Sequence, residues 1–474
     1  MRIAHINAAA ASDTGRVAVQ LCRMAQQAGH KALLCHAYDY APTDVSSYRI
    51  GTRIFSLKRA SSAKGTLRRF VATQKDRLRC RLNTDSHLFF ARLTDRSGFF
   101  SKRATRRLVE QLDLFKPDLI HLHTLHGYYL HLPTLFEYLK TNDMPVVWTL
   151  QDCWPFTGHC ACYAAASGAV PVNVIKRRRA QQPTTGCDRW QAGCGKCVLK
   201  RSYPASLFFD RSSKNWAEKR KMFQGLGHMV LTAPSEWLRD EISLSFLKNY
   251  PVYVFPGGVD TKVFTPCTNE DYRNRAARAY GLDELGGRKL VLSTANIWDE
   301  LQGLEDLMEL AEKLGPEYCV AAVGLDKRQL KNLPDEPLMG IGRPGNLNDL
   351  CALYTLADVY VSASRGGAFG PQLLEAMACG TQVVCYDAEA LPEVITDEVG
   401  ETVAPGDVDA LADAVRRLCG HPKEQQDCLA RAAAFDLQDR FAAYMRLYEK
   451  IYHFSPAYQN ALDRAAGKGG TQNE

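Results

Sequence analysis

Short β-branched runs alternate with helix-period segments along almost the whole chain, and the alternation happens twice. RIAHI (2–6), KALLCHA (31–37), LIHLH (119–123), VVWTL (146–150), HMVLTAP (228–234) and VYVF (252–255) read as strands. Helical patterns over 16–28, near 103–114 and over SEWLRDEISLSFL (235–247) lie between them. Apolar runs separated by helices belong to parallel sheets, because only a crossover returns the chain to the same end of a sheet. PGGVDTKVF (256–264) is rich in turn residues and reads as an inter-domain hinge. The alternation then restarts with KLVLSTA (289–295), a helix from about 303, CVAAVG (319–324), ADVYVSAS (357–364), a helix over 371–379 and QVVCYD (382–387). Helices over 407–420 and about 424–452 follow. The fold class expected is α/β, with two Rossmann-like, doubly wound domains facing a central cleft.

The 474 residues suit two domains of about 200 residues each. They are placed at 1–256 and 257–423, with 424–455 as a C-terminal helix packing back on the first domain and 456–474 as a disordered tail. Hydrophobic residues make up 46% and charged residues 23%, enough for two cores. No run approaches the roughly 18 apolar residues of a membrane span, and the N-terminus lacks the apolar stretch of a signal peptide. Most of the 16 cysteines stand singly in apolar segments (Cys22, Cys319, Cys379, Cys385), which points to a reducing cytoplasm.

Charge is uneven. Arg49 to Arg107 holds 17 Lys and Arg against 3 Asp and Glu, so a chain of net charge +7 carries +14 here and −7 elsewhere. Phe55, Leu67, Phe70, Phe89, Phe90, Phe99 and Phe100 interleave with that charge. Such an excursion (49–107) suits an anionic membrane face, nucleic acid, or plain solvation. Nucleic acid ranks last, because it leaves two paired Rossmann-like halves unexplained.

SRGGAFGPQLLEAMACG (364–380) passes from a strand through a glycine-rich loop into a helix. Glycines let the backbone approach a ligand, the helix N-terminus offers N–H groups to phosphate, and Pro371 suits the first turn. Glu375 stands one turn in, where a carboxylate can accept both hydroxyls of a ribose. The whole string resembles the donor motif of glycosyltransferase family 4, GT-B enzymes that transfer sugar from nucleotide donors with retention. TAPSEWLRD (232–240), PGGVD (256–260), ADVYVSAS and ETVAPGDVDALADAV (401–415) are similar to landmarks of that family. DTGR (13–16), HLHTLHGYYL (121–130), VWTLQDCWPFTGHC (147–160) and CDRWQAGCGKC (187–197) resemble its colanic-acid-type exopolysaccharide subgroup.

The resemblance implies a nucleotide-sugar donor, a glycan or lipid-linked acceptor, no metal needed for chemistry, and a place at the cytoplasmic membrane face. It assigns the donor to Gly15, Arg16, Arg365, Phe369, Gly370, Leu374 and Glu375, and the acceptor side to His123 and His126. Asp152, with Glu375, is the catalytic candidate, as a base or an orienting group. Four places depart from the family pattern. Gly366 and Gly367 stand where an acid contacts the donor sugar. Asn296 and Gln302, with Asp299 and Glu300 between them, replace the Arg and Lys that grip the diphosphate. Gln151–Asp152 replaces a His–Asp pair. Arg16, Arg365, Lys327 and Arg328 are the substitutes considered, and a catalytically impaired homologue that binds a sugar nucleotide or a partner enzyme is the alternative.

Six cysteines crowd the insertion 153–200. Cys194 and Cys197 have the two-residue spacing with which two thiolates grip one ion, and Cys160 and Cys187 complete a Cys₄ set. These four match the subgroup's cysteines, which implies a structural Zn²⁺. Cys153 and Cys162 are spare, and reduced thiols or a disulfide pair remain as readings.

Overall fold

The computed structural model describes residues 1–52, 63–163, 187–296, 298, 301–334 and 336–454. Asp299, Glu300, most of the insertion between Tyr163 and Cys187, and the expected tail lie outside them. The first domain runs β1 (Arg2–Ala9), α1 (Asp13–Gln27), β2 (Lys31–Tyr38), β3 (Ser47–Arg49), α2 (Ala63–Thr94), α3 (Lys102–Phe115) and β4 (Leu119–Leu122). It continues with α4 (Leu132–Thr141), β5 (Val146–Thr149), α5 (Ser212–Phe223), β6 (Met229–Ala233), α6 (Glu236–Leu244) and β7 (Val252–Val254). The second holds α7 (Glu270–Ala279), β8 (Lys289–Thr294), α8 (Leu304–Leu314), β9 (Tyr318–Leu325), α9 (Lys327–Asn332) and β10 (Leu338–Gly342). α10 (Leu347–Leu356), β11 (Val359–Ser362), α11 (Pro371–Ala378), β12 (Val383–Tyr386), β13 (Gly400–Val403), α12 (Val408–Gly420) and α13 (Gln425–Ala433) complete it, and α14 (Leu437–His453) follows.

Both sheets pair in parallel throughout, in the orders β3-β2-β1-β4-β5-β6-β7 and β10-β9-β8-β11-β12-β13. Strand order reverses between β1 and β4 in one sheet and between β8 and β11 in the other. A crevice opens at such a reversal, so the loops after these four strands are where a ligand sits.

The helix expected over 424–452 is two helices. α13 keeps Cys428 and Ala432 in the second domain's core. Asp436 then caps α14, accepting from the Gln438 N–H at 2.8 Å. At the break the chain pairs with the hinge: Val259 N–H donates to the Phe435 carbonyl (3.0 Å) and Leu437 N–H to the Val259 carbonyl (3.1 Å). The two crossings between domains are thus joined side by side. α14 turns a stripe of Phe441, Tyr444, Leu447, Tyr448 and Ile451 onto the first domain, packing with Ile3, Leu21 and Val147.

Under that stripe lies a polar knot. His5 and His121 are register partners on β1 and β4, and His5 Nδ1 is 3.2 Å from His123 Nε2. His121 bonds Tyr448 Oη (2.5 Å) from α14 and Thr149 Oγ1 (2.7 Å) from β5. Burial pushes His5 down to about 3 and holds His121 and His123 well below the ordinary histidine range. An unfolded chain binds these protons near pH 6.5 and the folded chain does not. This contribution to stability is therefore complete above pH 6.5 and lost as pH falls toward 3, by about 1.4 kcal/mol per pH unit for each histidine. Denaturant midpoints measured between about pH 7.5 and 5 should fall steeply, and His5→Gln should flatten that slope. An unchanged slope would refute the account.

Candidate active site

The loop after β11 leads through Gly370 into α11, with Pro371 in its first turn. Phe369, Pro371, Gln372 and Glu375 line a cleft of about 750 Å³ between the domains. Glu375 Oε2 accepts from the buried Tyr354 hydroxyl at 3.0 Å, and Tyr354 Oη is itself 2.9 Å from Thr294 Oγ1. The carboxylate is thereby held at the end of β8, on the cleft wall. The Phe369 ring lies against the hinge, so that a Cβ on Gly257 would come 2.3 Å from its Cδ1. Gly257→Ala should therefore displace Phe369, costing about 1–3 kcal/mol of stability and weakening nucleotide binding. Calorimetric titration of that variant with wild-type affinity would refute the clamp.

Two donor-side expectations are corrected in this domain. Leu374 is fully buried in the core, because one helical step from Glu375 turns it toward the sheet. Arg365 is not among the cleft-lining residues: its guanidinium forms a bidentate pair with Asp306 at 2.7–3.2 Å, and Tyr386 Oη donates to the same carboxylate at 3.0 Å. Lys327 and Arg328, on α9, are likewise not in the described cleft lining. The loop's missing acid has a neighbour that the spacing did not reveal. A Cβ on Gly366 would lie 2.9 Å from Glu389 Oε2, so the Glu389 carboxylate fills the place where a side chain would be. Glu389 adopts φ 51, a left-handed conformation that costs a residue with a Cβ about 1–2 kcal/mol. Its Oε1 also accepts from Cys162 of the first domain at 3.4 Å.

The first domain contributes Arg16, Gln151 and Phe255 to the same cleft, and α14 contributes Tyr444. Arg23 and Arg440 line it too; the former pairs with Asp44 at 2.7 Å and the latter stacks 5.1 Å from the Phe435 ring. Gly15 is corrected. The space its Cβ would need is filled by its own chain, 2.4 Å from the Ala9 carbonyl and 2.6 Å from that of Ala10, so the glycine serves helix packing. Ser12 rather than Asp13 or Thr14 caps α1, accepting from Gly15 N–H at 3.1 Å.

His123 belongs to the knot, 1% exposed and tilted against His121 with ring centroids 3.9 Å apart, and it also lines the small pocket that holds His126 and Asp152. His126 stands differently. Its Nε2 is 2.6 Å from Asp152 Oδ2 and its Nδ1 is 2.8 Å from Tyr203 Oη. With the proton on Nε2, His126 donates to Asp152 and accepts from Tyr203. Asp152 Oδ1 accepts from Trp154 N–H at 2.9 Å. The pair lines a small pocket that shares Thr149 and Gln151 with the cleft. A His–Asp pair missing from adjacent positions is therefore made in space.

Cys160 is buried, and Cys187, Cys194 and Cys197 are half-buried. Burial, then the neighbouring thiols of this set, pushes the Cys160 thiol up; burial raises Cys197 to about 12. Gly158 N–H points at Cys194 Sγ from 3.1 Å, the kind of donor that supports a thiolate. The buried Lys219 ammonium beside them donates to the Trp154 and Thr157 carbonyls. The donor set is of the kind that takes a soft divalent ion, but the thiols do not stand close enough for three of them to share one. Among the described residues only His5, His121 and His123 bring three possible ligand atoms within 4.8 Å of one another, so an ion at the cysteines must draw the thiols closer.

Residues 282–435, carrying β8 through α13 and the whole Phe369–Glu375 wall, match the family described as Glycosyl transferases group 1. This part of the chain is similar to that family. Over 312 residues, 62% of the chain, it is 31% identical to WcaC of Escherichia coli, assigned as a colanic acid biosynthesis glycosyl transferase, of which the match takes in 65%. The chain spans less than two thirds of the length of the relatives it matches first. Among solved structures, sucrose-phosphate synthase from Thermosynechococcus elongatus superposes with TM-score 0.62 at 15% identity, over 96% of this chain and 100% of that one. Anabaena HepE in complex with UDP-glucose gives 0.59 at 13% identity, over 95% and 100%. The two Rossmann-like domains form the GT-B fold of these transferases. Tyr354 and Glu389 within the matched segment, and Arg440 just beyond it, are the site neighbours that sequence reading missed.

Proposed function

We propose that the chain transfers a sugar from a nucleotide-sugar donor to a glycan or lipid-linked acceptor, with retention, in building a surface polysaccharide. The observation that carries this reading is the cleft itself, in which Phe369 and Glu375 at the start of α11 share a wall system with Arg16 and Gln151. In this reading the ribose hydroxyls bond Glu375, and the diphosphate meets the N–H groups of α11. The dipole of that helix and the cationic Arg16 and Arg440 stabilise the charge that builds on the leaving group, which is the main barrier to glycosyl transfer. Glu389 brings a carboxylate to the donor loop where Gly366 and Gly367 have none. Asp152, oriented by His126, takes or holds the proton of the acceptor hydroxyl. HepE's bound UDP-glucose and WcaC's assigned pathway bear on donor and product class.

Cys160, Cys187, Cys194 and Cys197 hold a structural zinc in the same reading, and the basic segment 49–107 faces an anionic membrane on the cytoplasmic side. No helix among the described residues is long and apolar enough to cross a membrane. The test is calorimetric titration with UDP and GDP, followed by turnover assays over a panel of their sugars. Binding with turnover on one donor is expected. Binding without any turnover would favour the impaired homologue, and no nucleotide binding would sink both.

A further inference from the structure

The half of α2 that follows Leu78 is apolar on two sides. Cys80, Thr84, His87 and Ala91, at helical spacing, are buried against the domain. On the other side Leu78, Leu82 and Phe89 follow one another at i, i+4 and i+11, with Phe90 beside them, and they are 59%, 58%, 59% and 47% exposed. A second apolar triplet stands next to this stripe. Leu207, Phe208 and Phe209 are 57%, 67% and 54% exposed. Their loop is fastened to the end of α2, because Leu207 N–H donates to the Arg92 carbonyl at 2.8 Å.

The loop is anchored from beneath, so the display of apolar side chains is not fraying. Ser206, 1% exposed, donates to the Phe209 carbonyl at 2.7 Å. Asp95, just beyond α2, accepts from Arg211 N–H at 2.7 Å and from His159 at 2.5 Å. A rigid loop that holds three large apolar side chains in water, beside a helix that does the same, is the signature of a surface completed by something else.

Charge says what. The segments 78–103 and 196–218 together hold eleven Lys and Arg against four Asp and Glu, and Glu218 pairs with Arg96 at 2.8 Å and Lys214 at 3.8 Å. One of those acids, Asp85, lies near Arg81 at 3.8 Å, and Asp95 and Asp210 are occupied by the anchoring bonds above and by the Cys197 and Ser212 N–H groups. Arg211 lies 5.8 Å from the Phe209 ring, its cation beside the apolar tip. Aromatic and leucine side chains ringed by cations match the boundary of an anionic bilayer, where the rings enter the acyl region and the cations stay at the headgroups.

We infer that the Leu207–Phe209 loop and the outer stripe of α2 form one face that inserts into an anionic lipid surface. This rests on and deepens the proposal that the acceptor is carried by lipid: it narrows the basic segment 49–107 to the outer stripe of α2 and adds to it the Leu207–Phe209 loop, which lies outside that segment. The loop also carries Tyr203, whose hydroxyl meets His126, so the docked face lies one residue away from the Asp152 pair.

The experiment is flotation of the full chain with vesicles of phosphatidylcholine alone or with about a third phosphatidylglycerol, repeated at rising salt. Phe208→Ser with Phe209→Ser, and separately Phe89→Ser with Phe90→Ser, should each lower partitioning onto the anionic vesicles by about tenfold or more. Leu114→Ser, at an exposed apolar position elsewhere on the domain, should leave it unchanged. Phe208→Trp should shift its emission to the blue on vesicle binding and be quenched by brominated acyl chains. Equal partitioning of the aromatic variants, or a tryptophan emission that vesicles leave unmoved, overturns the inference. So does sedimentation showing a dimer that the same substitutions dissociate, which assigns the face to a second copy. Vesicle binding needs no donor and no turnover, so its failure is distinct from failure of the transferase reading, which nucleotide titration tests.

Discussion

Glu375→Gln is expected to lower kcat/KM for sugar transfer by about 10²–10⁴-fold while leaving the fold intact. The estimate assumes two charge-assisted hydrogen bonds to the ribose, each worth about 1.5–3 kcal/mol, at about 1.4 kcal/mol per tenfold. Glutamine keeps an oxygen that can accept from Tyr354, whose buried hydroxyl now donates to Glu375 at 3.0 Å. Its thermal midpoint should therefore stay near that of the parent. Glu375→Ala removes the same charge and also takes an acceptor from Tyr354, so it should lose comparable activity and a further 1–3 kcal/mol or so of stability. Two readouts keep the causes apart. Nucleotide affinity by calorimetry reports the ribose contact, and thermal unfolding reports the Tyr354 bond. If the glutamine variant turns over at more than half the parental rate, Glu375 has no role at the donor.

How the sequence was readable here depends on the range of the interaction. Strand and helix periods are local, and the two alternations, the hinge at 256–264 and the cleft between the domains all follow from them. Facing is local as well. Leu374 stands about 100° round the helix from Glu375, on the side that meets the core, so the pattern of α11 already argued for Leu374 in the core. Partners far apart in the chain were another matter. Arg365 has the right loop and the right charge for a phosphate, but Asp306 of α8 takes its guanidinium. Gly15 stands in the first turn of α1, but the carbonyls of Ala9 and Ala10 occupy its open side. The Glu389 carboxylate beside Gly366 and the His126–Asp152 pair join residues from separate crossovers, and no spacing rule relates them. The same distance hides why about 424–452 is two helices: the break at Phe435 exists to pair with Val259, in the hinge far earlier in the chain.

Removing metal from the cysteine cluster is expected to have the largest structural effect. Protein isolated without chelator should carry about one zinc per chain, and Cys194→Ser with Cys197→Ser should abolish it. Structural zinc sites supply on the order of 10 kcal/mol in small domains, so chelation should release the 187–200 region to proteolysis and lower the unfolding temperature markedly. The surroundings give the expectation its physical basis. Four thiolates around a divalent ion leave a net double negative charge in a buried place, and the ammonium of Lys219, 1% exposed, lies there to offset part of it. It sits 3.4 Å over the Trp154 ring and donates to the Trp154 carbonyl at 2.7 Å. Without the ion, burial pushes Lys219 down to about 7, with the neighbouring Cys194 and Cys160 acting in the other direction. An uncompensated buried cation is costly, and thiolates fixed by a metal would remove that cost. Lys219→Met should therefore weaken zinc retention against a competing chelator while leaving nucleotide affinity unchanged. Its effect reaches the site through Trp154, whose N–H fixes Asp152 Oδ1, so loss of zinc should depress transfer before the domain unfolds. Protein free of zinc with an unaltered midpoint in chelator, or mass spectrometry finding two of these cysteines joined as a disulfide, would assign the cluster to packing or to a cross-link instead.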